Sequence, residues 1–85
     1  MQVLIPSSLR SYTSATWVQA RGSSLAEVLE DLDRKFPGLR FRMVDEQDRL
    51  RPHMRVFVNG SPVFDLAHPL QPTDDVGIVQ ALSGG

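Results

Sequence analysis

The chain ends in Gly84-Gly85, a carboxylate with no side chain beside it. A C-terminal carboxyl has a reference pKa of about 3.5, so at neutral pH it is an ionised oxygen nucleophile able to attack the α-phosphate of ATP. The acyl adenylate so formed is an activated ester. Glycines put no side chain in the way of a narrow partner site, and their backbone freedom lets a tail extend. At an average glycine usage of about 7%, a Gly-Gly ending arises by chance in roughly one chain in two hundred, and a frayed terminus is the plain alternative. The segment ahead of the pair argues against fraying. Val76 to Leu82 has strand character, so a folded body delivers the dipeptide directly from its edge.

No other residues assemble chemistry of their own. His53 and His68 lie in loops beside prolines, without a cysteine or acidic partner at metal-ligand spacing, and read as surface histidines. Asp74-Asp75 are adjacent on a loop and point apart, which suits a turn and strand start better than a catalytic dyad. No GxSxG, HExxH, Walker or GxGxxG pattern is present. Zero cysteines leave no disulfide, thiolate metal site or thiol nucleophile. An independent enzyme is therefore the weakest reading, because nothing pairs a nucleophile with a base.

The elements that must present the tail follow from patterning. Met1 to Ile5 reads as a strand stopped by Pro6, and Tyr12 to Ala20 as a second, joined by the polar connector PSSLRS into an N-terminal hairpin. Ser24 and Glu27 form a capping box, after which Leu25, Val28, Leu29, Leu32 and Phe36 share one helical stripe. Glu27, Glu30, Asp31 and Arg34 turn away from it. Pro37-Gly38 ends the helix near Phe36. Phe41 to Val44 suggests a short strand, and Met54 to Val58 a clear one, closed by the Asn59-Gly60 turn with Pro62 to Phe64 returning. Val76 to Leu82 is the last.

This order predicts a single α+β domain over 1–85, a mixed sheet of four to five strands with one main helix on one face and a flexible tail at 83–85. A half-covered sheet alternates. Val3, Ile5, Met54, Val56, Val58, Val76 and Ile78 face the helix, whereas Leu4, Arg55, Phe57, Gly77 and Val79 face away.

Composition narrows the partners. Nine basic residues, a single lysine among them, against ten acidic ones give a formal charge of −1, which offers no general attraction to nucleic acid. No apolar run is long enough for a membrane span, and the N-terminus lacks a signal-peptide pattern, so a cytoplasmic location is expected.

In order along the chain, MxVxIPSxLRxYT, the helix SxxEVLxxL, FPGLRxRMxDE, RVFVNG and the terminal GG resemble the MoaD/ThiS-type sulfur carriers over essentially the full length. The resemblance implies a ubiquitin-like β-grasp fold with the first and last strands side by side at its centre. It also implies adenylation of Gly85 by an E1-like enzyme, which supplies the ATP and Mg²⁺ site, with Gly84 as spacer and no cofactor held by the carrier. A persulfide donor then gives a Gly85 thiocarboxylate, used by a sulfur-acceptor enzyme or by the large subunit of a molybdopterin synthase. Rival readings are a ubiquitin-like modifier conjugated through Gly85 and a non-covalent β-grasp module. Leu4, Phe57 and Val79 form a docking patch if they cluster, with Arg55 and Arg10 at its rim.

Overall fold

Alternating apolar positions, one amphipathic helix and two turn signals build the architecture. The computed structural model describes residues 1–81. Its elements are β1 (Gln2–Leu4), α1 (Arg10–Thr13), β2 (Trp17–Gln19), α2 (Leu25–Lys35), α3 (Leu39–Met43), β3 (Met54–Val58), β4 (Ser61–Val63) and β5 (Val76–Gln80), with a 3-10 turn at Ser7–Leu9. The strands form one five-stranded sheet in the order β2-β1-β5-β3-β4. β1 and β5 lie parallel at its middle, and the other neighbours are antiparallel. The fold is the ubiquitin-like β-grasp.

The inner face carries Val3, Met54, Val56, Val58, Val76 and Ile78, all buried. Ile5, just past β1, is buried with them. Leu25, Val28, Leu29 and Leu32 of α2 belong to the same core, so sheet and helix bury each other's apolar surface. Because strand side chains alternate, a slip of one residue would expose this whole set. The register Val3↔Val76 and Val56↔Ile78 prevents that. Asn59 and Gly60 both take positive φ, 51° and 86°, which makes the tight β3–β4 hairpin.

Helix α2 starts on Ser24, whose hydroxyl accepts from the Glu27 N–H at 3.2 Å. The reciprocal arm lands one residue earlier than a capping box predicts: the Glu27 carboxylate accepts from the Ser23 N–H at 2.9 Å and from its hydroxyl at 3.0 Å. The free N–H groups of Leu25 and Ala26 donate to the carbonyls of His68 and Leu66, so the irregular segment before β5 is strapped to the helix start.

Four sequence expectations are corrected. Tyr12 and Thr13 are helical, and the second strand is confined to Trp17–Gln19. The connector winds through two short helical turns that bury Leu9 and Thr13, and that burial outweighs the strand preference of Tyr and Thr. Phe41 to Val44 is not a strand, because α3 spans Leu39–Met43. Its buried residues Leu39 and Met43 stand four apart, the helical interval, while Phe41 is 63% exposed. The return strand is Ser61–Val63, leaving Phe64 outside it. The last strand is assigned to Val76–Gln80, and Leu82 lies outside the described residues.

Asp31 also departs from its expected place. It does not turn to solvent but lies buried, its carboxylate accepting from the Arg21 N–H at 2.9 Å and pairing with Lys35 at 3.0 Å and with Arg34. The Lys35 hydrogen bond is the main cause that lowers its pKa to about 2; burial opposes it, and the Arg21 and Arg34 bonds assist. A depressed carboxyl pKa contributes stability that is full above the unfolded value and is lost as pH falls through the folded one. The shift is equivalent to about 2 kcal/mol, and solvent around Arg34 and Lys35, 75% and 43% exposed, reduces it to about 1. Asp31→Asn is expected to cost that amount at neutral pH. In urea titrations it flattens the stability loss of the parent chain between about pH 4 and pH 2.

Candidate functional site

The face of the sheet away from α2 is open, and strand register decides what meets on it. Trp17 pairs with Leu4, Leu4 with Gly77, Gly77 with Phe57, and Phe57 with Pro62. These residues form one row across all five strands. Trp17 is 51% exposed, while Leu4 and Phe57 are half-buried. Gly77 interrupts the row with a gap, since a Cβ built there meets nothing within 4 Å. Leu4 and Phe57 therefore stand about 10 Å apart across two strand spacings, with a notch between them.

Val79, 41% exposed, lies two residues further along β5 and pairs with Arg55. The expected apolar set of Leu4, Phe57 and Val79 is thus brought together on one face. Arg55 is held at its margin, its guanidinium donating to the carbonyls of Pro52 and, at 3.2 Å, Met54. Arg10 is held at the other margin, where its Nε donates to the Ile5 carbonyl at 3.2 Å.

The face runs into an open groove of about 750 Å³ whose lining includes Leu4, Pro6, Arg10, His53, Val79 and Ala81. Ala81 is tied there by its N–H, which donates to the His53 carbonyl at 2.7 Å. The chain thus leaves the sheet beside the apolar face. Gly84 and Gly85, the expected site of chemistry, lie outside the described residues.

Trp17 and Pro62 escaped the sequence reading of this face, and Gly77, read as facing outward, was not placed between Leu4 and Phe57. Their place in the row depends on pairing register, and no local pattern encodes which residues of distant strands lie opposite one another. His53 does lie in a loop, as expected, yet it also anchors the start of the tail through its backbone.

The adjacent carboxylates have the turn role expected of them. Asp74 accepts from the Gln71 N–H at 2.8 Å and from the Asn59 amide at 2.9 Å, and the Asp75 N–H donates to Asn59 at 2.9 Å. The Gln71 backbone bond, then the Asn59 bond, hold the Asp74 pKa below its ordinary value. Both residues precede Val76, at the end of β5 remote from the groove. Among the described residues no three His, Asp or Glu side chains gather as a metal site, and no helix is long and apolar enough to cross a membrane.

A central parallel pair of first and last strands, one open apolar face and a chain exit beside it form a recognisable frame. The ThiS family model matches residues 3–85. The chain belongs to the ThiS family. As a ThiS-family protein it is one of the ubiquitin-like sulfur carriers. It is similar to a chain of the Amycolatopsis orientalis BexX/CysO complex, at 30% identity over 99% of this chain and 98% of that one, with a TM-score of 0.91. It is equally similar to Mycobacterium tuberculosis CysO, described as an antigen: 30% identity over 95% of this chain and 98% of that one, TM-score 0.90. Small archaeal modifier protein 1 of Methanosarcina acetivorans shares the fold at 24% identity, over 99% of this chain and 94% of that one, with a TM-score of 0.82. No curated protein sequence matches the chain.

Proposed function

We propose that this chain carries sulfur on its C-terminal acyl carbon. An E1-like enzyme binds the open sheet face and draws Gly84-Gly85 into a site holding ATP and Mg²⁺. The Gly85 carboxylate attacks the α-phosphate and pyrophosphate leaves. The outer sulfur of a persulfide donor then displaces AMP at the acyl carbon, and cleavage of the S–S bond by a thiol leaves the thiocarboxylate.

The observation that carries this reading is the exit of the chain at Ala81, beside the Leu4, Phe57 and Val79 face in a ThiS-family fold. A docked partner can hold the face while it receives the tail. The carrier itself contributes no catalytic side chain. Similarity to two CysO chains favours an acceptor in cysteine or thio-metabolite synthesis over a molybdopterin synthase large subunit.

The test is intact-mass measurement after incubation with an E1-like adenylating enzyme, ATP, Mg²⁺ and a persulfide source. The carrier should gain the mass difference of one sulfur for one oxygen, localised to the terminal peptide. An unchanged mass despite ATP turnover by the enzyme with a reference carrier would remove the proposal.

A further inference from the structure

The charges of this nearly neutral chain are sorted in space. Arg34 and Lys35 pair with Asp31, Arg40 with Asp48, and Arg49 with Asp45. Among the described residues Arg10, Arg21, Arg42, Arg51 and Arg55 form no ion pair, and of these Arg21 lies apart, in a recess with Glu27, Glu30 and Asp33. Arg10 and His53 line the exit groove. His53 also lines an adjoining recess with Phe41, Arg42 and Arg51, and no carboxylate lines either one. Acidic residues begin on the far side of Phe41, which also borders a neighbouring recess lined by Asp33, Arg40, Asp45, Glu46 and Asp48. Arg51 acts on Asp45 only as the smallest contribution to its lowered pKa.

A solvated arginine ordinarily lacks fixed partners, whereas Arg51 has two contacts that orient it. Its Nε donates to the Phe41 carbonyl at 2.8 Å, and its guanidinium stands 4.8 Å from the centroid of the Phe41 ring. That ring is 63% exposed, so the stack covers no core and presents an oriented cation outward.

We propose that Phe41, Arg42, Arg51 and His53, continued by Arg10, form a second docking face that receives an acidic protein segment flanking the partner site into which the tail passes. The partner's identity rests on the carrier reading above; the charge sorting stands without it. Single exposed ion pairs contribute little, whereas a one-sign cluster steers an oppositely charged partner and fixes its orientation. A nucleic acid fits less well, since a phosphate backbone crossing this small face would meet Asp45, Glu46 and Asp48.

The experiment titrates the full chain with a polyglutamate peptide at low salt and follows backbone amide shifts by NMR. Saturable shifts should concentrate at residues 10, 41–42 and 51–53. They should weaken about tenfold in R42E and vanish in R42E/R51E. R42E leaves the Phe41–Arg51 stack in place, so a folding defect in the double variant does not hide the result. In adenylation assays R42E should raise KM for the carrier about tenfold with kcat unchanged. Shifts spread equally over Arg34 and Arg49, no saturable shifts, or tighter binding of an oligonucleotide of equal charge would each overturn the proposal. Should the parent chain fail to be adenylated at all, the carrier reading falls, while the peptide map still decides the face.

Discussion

A chain ending at Gly84 is expected to keep its melting temperature and to lose adenylation by at least about 100-fold. An extended residue spans about 3.3–3.6 Å, and a misplacement of only about 1 Å can cost 100-fold in a reaction that depends on alignment. The tail cannot compensate by sliding. Ala81 is tied to the His53 carbonyl, and β5 is paired on both sides, in parallel with β1 and antiparallel with β3. Shortening the tail therefore withdraws the carboxylate from the α-phosphate by nearly a full residue. ATP–pyrophosphate exchange measures the loss directly, and Gly85→Ala, which keeps the length and adds one methyl, should lose less. Exchange by the truncated chain within a few-fold of the parent would show that reach does not limit the reaction, and the assignment of Gly85 would fall with it.

Legibility in the sequence followed the range of the interaction. Met54 to Val58 was readable because its alternation is local and Asn59-Gly60 punctuates it; the inward and outward assignments of Val3, Leu4, Val56, Phe57, Val76 and Ile78 all hold. The start of α2 was readable for the same reason, since Ser24 and its first apolar residues are neighbours in the chain. Tyr12 and Phe41 were misread because their conformations answer to burial of other residues, Leu9 and Thr13 in one case, Leu39 and Met43 in the other. Asp31 was misassigned because an acidic residue beside an apolar stripe ordinarily faces water, and the Arg21 N–H that holds it comes from outside the helix. The site divides in the same way. Leu4, Phe57 and Val79 follow from the two-residue strand period, but their juxtaposition across β1, β5 and β3 is a matter of register.

Register also isolates the docking role of the sheet face from its role in the fold. Gly77 occupies the middle of the row between Leu4 and Phe57 on a central strand, where glycine costs the fold roughly 0.5–1 kcal/mol relative to a residue with a side chain. A Cβ there meets no atom within 4 Å, so the backbone site accepts a side chain's first carbon without a clash and directs the rest onto the open face. Gly77→Val should therefore stabilise the chain by about 0.5 kcal/mol, raising its melting temperature by a few degrees. The same branched side chain fills the notch on which a partner closes. Filling the centre of an interface costs on the order of 2 kcal/mol, so KM for the carrier in the adenylation assay should rise about 30-fold. Opposite signs are what make the variant informative. A residue that mattered only for stability would improve or leave unchanged both measurements, whereas a docking face must lose affinity as the fold gains stability. Unaltered KM in a stabilised Gly77→Val chain would place the partner elsewhere on the molecule.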